Sequence, residues 1–281
     1  MYYIQEIDKP NFWLSLFNIV RLQGDKIILP VGIKKIKAKK AEKLANQTQK
    51  ILEKANTKQV VVSKAIKKQK EYLNYLHMYD LKIIDGKWLF EVLSSQVLEY
   101  IVEKKDLKKE KIQVSILINE VTDPILENIK QIVRQYKRAN IVTNHREKFK
   151  NIEKQILENE GIMITVSNNK KKSLCKSKII LNVDFPSELI NQYNFNDEAI
   201  IVNIRGNVRI TRKRFNGMNI NNYNIDFKSL EEFDYDKNNL YERKDIYEAQ
   251  ISARQPFGEI KKKVKKDGVK ITELVGNKTI L

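Results

Sequence analysis

Cysteine is nearly absent. Cys175 stands alone among 281 residues, so an intrachain disulfide is excluded, and with only His77 and His145 to add imidazoles no metal centre is expected. No run approaches the roughly 18 consecutive apolar residues of a membrane span. The opening MYYIQEIDKPNFW carries acids and a proline where a signal peptide would carry bases and then an apolar stretch. These absences predict a cytoplasmic protein with no membrane partner. The loops GxxxxGK[ST], HExxH and GxSxG are missing as well, which removes the usual nucleoside-triphosphate, zinc-hydrolase and serine-hydrolase devices. Glycine is scarce, nine in all, and none lies between Gly86 and Gly161.

Positive charge is plentiful. The formal net charge is +18, yet 43 of the 53 basic residues are lysine. Phosphate attracts any cation, but base reading and two-pronged phosphate clamping use arginine. Two readings of the charge follow: a coding sequence rich in adenine and thymine, or a nucleic-acid partner held by Lys34–Lys43, Lys170–Lys178 and Lys261–Lys266. Tyr72, Tyr75 and Tyr79, at nearly helical spacing beside lysines, are either a base-stacking face or ordinary core side chains. With 42% hydrophobic residues the chain has enough apolar material for a packed core, and its length suits two domains.

From Val114 onward, short apolar runs alternate with amphipathic stretches, the pattern of a parallel sheet with crossover helices. Strands are predicted at Val114–Glu120, Asn140–Thr143, Ile162–Val166, Lys178–Val183 and Ala199–Ile204. A helix opens at Asp123-Pro124, with Asp123 as its N-cap, and another ends at Gly161. Arg205-Gly206-Asn207-Val208 reads as a tight turn into an antiparallel edge strand through Ile210, blunted by Arg212, Lys213 and Arg214. The half before it predicts a hairpin across Gly24-Asp25, a helix Ile36–Ala55, a strand Gln59–Ser63, a helix through Leu76, a strand Leu81–Ile84 and a helix Trp88–Val102. The charged run Glu103–Lys111 marks a boundary. A helix within Asn238–Arg254 is expected to cross back onto the first domain. The fold class is α/β: a doubly wound, mainly parallel sheet over 111–235, preceded by a smaller α/β domain over 1–110 and followed by a helical extension over 236–281.

In a doubly wound sheet, ligands sit at the carboxyl ends of the strands, and a dinucleotide needs glycines where the first strand turns into its helix. Here that turn reads Asn119-Glu120-Val121-Thr122-Asp123-Pro124, without glycine and with two carboxylates beside the helix N-terminus. Standard dinucleotide binding is therefore not expected. At the end of the second strand, Thr143-Asn144-His145-Arg146 suits a 2′-phosphate, or holds a helix N-cap at Asn144 and a solvated Arg146. Asn182, Asp184 and Ser187 close the fourth strand, Asp184 as a ligand contact or a helix cap.

The order of parts resembles the two-domain dehydrogenases of the shikimate dehydrogenase type, in which a small α/β domain runs through a connecting helix into a Rossmann domain. Val60-Val61-Val62-Ser63-Lys64 resembles the strand delivering that family's catalytic lysine, and Asp85-Gly86-Lys87-Trp88-Leu89-Phe90 resembles the turn opening the connecting helix. The resemblance implies that Lys64 and Asp85 form a proton-shuttling pair, and that Thr143, Asn144 and Arg146 lie at a cofactor phosphate; Asn119 and Asn182, at the ends of the first and fourth strands, would border the same cofactor. Three functions stay open: a small-ligand or protein-binding Rossmann-like protein without a cofactor, an oxidoreductase that takes NADP through Arg146, and a basic nucleic-acid-binding protein.

Overall fold

The structure is a computed structural model that describes residues 1–7, 17–31, 35–228, 239–251, 255–277 and 280–281. The chain divides into two compact units, Met1–Gly86 with Lys228–Arg254, and Lys87–Phe227 with Gln255–Leu281.

The first unit is built on five strands: β1 (Tyr2–Glu6), β2 (Arg21–Gln23), β3 (Lys26–Leu29), β4 (Gln59–Val62) and β5 (Lys82–Ile84). They lie in the order β2-β3-β1-β4-β5, all parallel except β2, which forms the expected hairpin with β3 across Gly24-Asp25. Period-two alternation divides their side chains between two faces. Ile4, Val60 and Val62 pack with Leu44 and Leu52 of α1 (Ala38–Lys54) and Tyr72 and Leu76 of α2 (Lys70–Met78). Tyr75 and Tyr79 lean on this core, and the buried Tyr72 hydroxyl shares a 2.8 Å hydrogen bond with Thr48, so these tyrosines pack rather than stack bases. On the other face Tyr3, Val61 and Ile84 meet Tyr241 and Ile246. The predicted C-terminal helix thus returns to the first unit.

The second unit opens with α3 (Lys87–Val92) and α4 (Ser94–Lys104), where a single helix was expected. The break at Leu93 has a local cause: the Ser94 hydroxyl donates back to the Phe90 and Glu91 carbonyls at 3.2 and 2.8 Å. Asn128, fully buried on α5 (Asp123–Gln135), then satisfies the opened turn, donating to the Glu91 and Val92 carbonyls and accepting from the Ser95 N–H. These bonds tie α3 and α4 to the second unit, so the division falls at Gly86 rather than in the charged run at 103–111.

The remaining elements are β6 (Gln113–Leu117), β7 (Arg138–Val142), α6 (Arg146–Glu160), β8 (Thr165–Ser167), β9 (Ile179–Asn182), α7 (Ser187–Ile190), β10 (Ile200–Asn203), β11 (Met218–Asp226), α8 (Arg243–Gln250), α9 (Phe257–Lys266) and β12 (Lys270–Gly276). Of these, α8 belongs to the first unit and is the helix that carries Ile246 onto its sheet. The second sheet runs β12-β11-β10-β9-β6-β7-β8, parallel except for β12, which is antiparallel to β11. Counted within the sheet from β6, that is the Rossmann strand order, with the chain reversing direction across the sheet between β6 and β9. Every residue of β9 and β10 is buried, as isoleucine and valine runs sandwiched between helices require.

Four local expectations fail. No antiparallel strand follows Ile204: Asn221 accepts the Val208 N–H at 2.8 Å, and residues 204–217 loop round so that β11 joins β10 in parallel. Arg212, read as an edge guard, instead donates to the Phe195 carbonyl at 2.7 Å and pairs with Asp197. The N-cap position of α5 is Thr122, one residue earlier than expected, and that of α6 is His145 rather than Asn144; neither makes a side-chain capping bond. The helix ending at Gly161 is as predicted, with φ at +65°.

The entry into β11 depends on Gly217, where an added Cβ would stand 2.1 Å from the Ala199 carbonyl oxygen. Backbone cannot yield as a flexible side chain does. Gly217→Ala is therefore expected to lower the unfolding free energy by about 1–3 kcal/mol, read as an earlier urea midpoint with unchanged slope.

Candidate ligand site

The carboxyl edge of the second sheet collects the residues that sequence reasoning singled out. Asn119 follows β6, and its side-chain oxygen accepts the Asn144 N–H at 2.9 Å and the Thr143 hydroxyl at 3.4 Å. Thr143 is buried and accepts the His145 N–H at 3.1 Å. Asn119, Thr143 and Asn144 are thus brought together, but by bonding one another across β6 and β7. Arg146 opens α6 beside them, exposed and without an ion pair among the described residues. Asn182 lies elsewhere: buried at the end of β9, it donates to the Phe185 carbonyl and to Asn203, which continues the amide chain to Asn219 and Asn221.

The loop after β6 is where a pyrophosphate would meet free backbone N–H groups. Those donors are in use. The Asp184 carboxylate, just past β9, accepts the Asn119 N–H at 2.8 and 3.0 Å and the Glu120 N–H at 2.7 Å. Asp184 therefore neither caps α7 nor stands free for a ligand. Burial raises its carboxyl pKa above the ordinary value, although both N–H donors and Arg205 pull the other way.

Arg205, past β10, completes the arrangement. Its guanidinium is 3.7 Å from Asp184, donates through Nε to Glu91 at 2.8 Å, and reaches the Glu120 carbonyl and the Thr122 hydroxyl. Thr122 also donates to Glu91. Glu91 is buried in α3, and its one signal in the sequence is a carboxylate inside the apolar stretch Leu89-Phe90-Glu91-Val92-Leu93. Neither Glu91 nor Arg205 was foreseen as part of a site, since only the crossing of β9 and β10 beside β6 brings them together. Next to this pair a cavity of ≈ 420 Å³ is lined by Asn182, Asp184, Ser187, Arg205 and Asn207 among others.

In the first unit, Lys64 and Asp85 follow the neighbouring parallel strands β4 and β5. They make no hydrogen bond or ion pair with each other. Lys64 donates its ammonium to Asn239 at 2.5 Å and its backbone N–H to the Leu240 carbonyl. After Asp85, Gly86 takes φ +78°, and an added Cβ would meet the Lys244 stem at 2.7 Å. The charges beside this edge are instead gathered by α8. Lys67 lies 2.5 Å from the fully buried Asp245 and 3.2 Å from Glu242, which also pairs with Lys244. Burial pushes the Asp245 carboxyl up to about 7 against the pull of Lys67. Glu242 is half-buried, and Lys67 and Lys244 hold its carboxyl below the ordinary range against the effect of burial.

Among the described residues no group of three or more His, Cys, Asp or Glu side chains is placed to hold a metal ion, and no helix is long and apolar enough to cross a membrane. The described members of the lysine clusters lie on separate elements: α1 and the residues before it, the approach to β9, and α9.

No family model and no curated protein sequence matches the chain. Among solved structures it is similar to an L-tryptophan dehydrogenase from Nostoc punctiforme, at 10% identity and TM-score 0.32, covering 76% of this chain and 64% of that one. It is similar also to an ornithine carbamoyltransferase from Pyrococcus furiosus, at 12% identity and TM-score 0.29 over 75% and 73% of the two chains. A shikimate 5-dehydrogenase-like protein is matched at 10% identity and TM-score 0.25, over 72% and 76%. The chain spans 64% of the length of the tryptophan dehydrogenase. At these scores the likenesses carry no chemistry, and the Rossmann-like character rests on the strand order itself.

The Asp245 carboxyl gives a pH dependence. Its folded pKa of about 7 lies above the unfolded value of 3.8, so this group favours the folded state below the lower value and loses that contribution as pH rises to the higher one. Relative to Asp245→Asn, the parent protein is expected to lose stability between these limits, by at most about 1.4 kcal/mol per pH unit, and to level off above them. Urea unfolding of both proteins at pH 4.5, 6 and 8 checks it; parallel curves would remove the assignment.

Proposed function

We propose that this chain is a Rossmann-like small-ligand-binding protein that does not take a dinucleotide in the usual way. The single observation behind the reading is the Asp184 carboxylate on the Asn119 and Glu120 N–H groups. A pyrophosphate would need those same donors, would stand against a fixed negative charge, and would find no glycine to let it approach the backbone. Arg205 offers no remedy, since its charge is already shared between Glu91 and Asp184. The cavity beside them, ≈ 420 Å³, has the size of a small-molecule site, and Ser187 and Asn207 supply neutral polar atoms around the Asp184–Arg205 contact. A small polar ligand without net charge fits that lining.

An oxidoreductase using NADP is the competing reading, and the exposed Arg146 at the end of β7 is the observation in its favour. Calorimetric titration with NAD and with NADP separates the two. No stoichiometric binding is expected with the parent protein. Asp184→Ala should free the loop donors, so that inorganic phosphate or NADP binds more tightly than to the parent, while losing about 1–3 kcal/mol of stability for the uncovered N–H groups. Tight binding of either dinucleotide by the parent protein would end the proposal, and loss of that binding in Arg146→Ala would then support the oxidoreductase.

A further inference from the structure

A second concave region, sharing no residue with the crevice above, lies within the second unit between α4, α5, α9 and β12, with a volume of ≈ 930 Å³. Its two sides differ in net charge. The α4 side presents Glu99 and Glu103 together with Lys104, and the carboxyl-terminal turn of α5 adds the partial negative charge of a helix end. The opposite side presents Lys261 and Lys265 from α9 and Lys270 from β12. Glu99 is steadied by Gln135, which donates to it at 2.8 Å.

Lys261 is the unusual member. Its ammonium is half-buried and held by neutral acceptors alone: Gln131, with Ser95 and Asn128 each at 3.4 Å. The Phe257 ring centroid lies 5.0 Å away, and no carboxylate lies within ion-pair distance among the described residues. A partly desolvated cation without a counter-ion is costly, and an anion arriving from the groove relieves that cost. Burial brings its pKa down to about 8, with Glu99 and Glu127 opposing the fall. A phosphate dianion is poorly served here, because the floor has one ammonium and no guanidinium, with the Glu99 and Glu127 carboxylates nearby. A carboxylate is matched by Lys261, and a positive group on the same molecule is matched by the α4 side.

We propose that this groove binds a small zwitterion of the α-amino-acid class, its carboxylate on the Lys261 ammonium and its own ammonium toward Glu99. This does not depend on what the crevice near Asp184 holds. Around Lys261 the groove carries Ser95, Glu99, Tyr100, Glu103 and Lys104 from α4, Glu127, Asn128 and Gln131 from α5, Phe257 and Lys265 of its own helix, and Lys270 of β12. Of these, the three glutamates and the three lysines are charged. Binding needs the protonated amine, so affinity should fall as pH rises beyond about 8.

The test titrates the whole chain with the twenty standard L-amino acids one at a time at pH 7. The best binder is then compared with its N-acetyl and carboxamide derivatives. Removal of either charge is expected to weaken binding by about tenfold or more, as are Lys261→Met and Glu99→Gln. Lys261→Arg should keep binding at pH 7 and lessen the fall between pH 7 and 9 relative to the parent, leaving only the part due to the ligand's own ammonium, a difference that a merely structural strut would not produce. The proposal is overturned if no amino acid binds at millimolar concentration, if both derivatives bind as well as the parent compound, or if Lys261→Met binds unchanged while remaining folded.

Discussion

The carboxyl edge of the second sheet is organised around one buried anion. Asp184 reaches from the end of β9 to the two N–H groups that open the loop after β6, and Arg205 from the end of β10 meets it from the other side. Hydrogen bonds from backbone amides to a carboxylate are among the stronger ones available to a protein, and they fix this loop without help from a ligand. The helix that follows keeps its N-terminus, but the charge that would complement it comes from the chain itself. Glu91 then balances Arg205 and links the edge to α3. Four separated segments are held by two carboxylates that share one guanidinium and the two loop N–H groups.

The same preference for internal satisfaction recurs elsewhere. Asn182, Asn203, Asn219 and Asn221 bond side chain to side chain across three neighbouring strands, and Asn128 closes the gap between α3 and α4. In the first unit Lys67, Glu242, Lys244 and Asp245 form a buried charged group behind α8. Buried polar groups are costly when unpaired and rigidifying when paired, so each network pins the elements that carry it. The groove around Lys261 departs from this pattern, since its charge is met only by neutral atoms.

Much of the architecture was legible in the pattern of the chain. The isoleucine and valine runs of β9 and β10 could only be strands buried on both faces, and the spacing of Ile125, Ile129, Ile132 and Val133 fixed the inner face of α5. The missing glycines drew attention to Asn119-Glu120, whose N–H groups the Asp184 carboxylate covers. The tight turn at Arg205-Gly206 was misread because a turn signal reports local bending and says nothing of which strand lies beside it; Asn221, sixteen residues later than Arg205, decides that. The Lys64 and Asp85 pair came from the resemblance of two short motifs to a dehydrogenase family, and the Lys64 ammonium is tied to Asn239, far along the chain.

What the sequence determined alone was periodic or negative. Alternation and helical spacing set the elements, and the loop after β6 carries no glycine. What the tertiary structure decided was the partner of each polar group. Asp184 and Asn119 are 65 positions apart, and Arg205 and Glu91 are 114 apart. A hydrogen bond acts over about 3 Å, whereas sequence pattern reports only what recurs within a few residues, so contacts between distant segments exist only once the sheet has set their strands side by side.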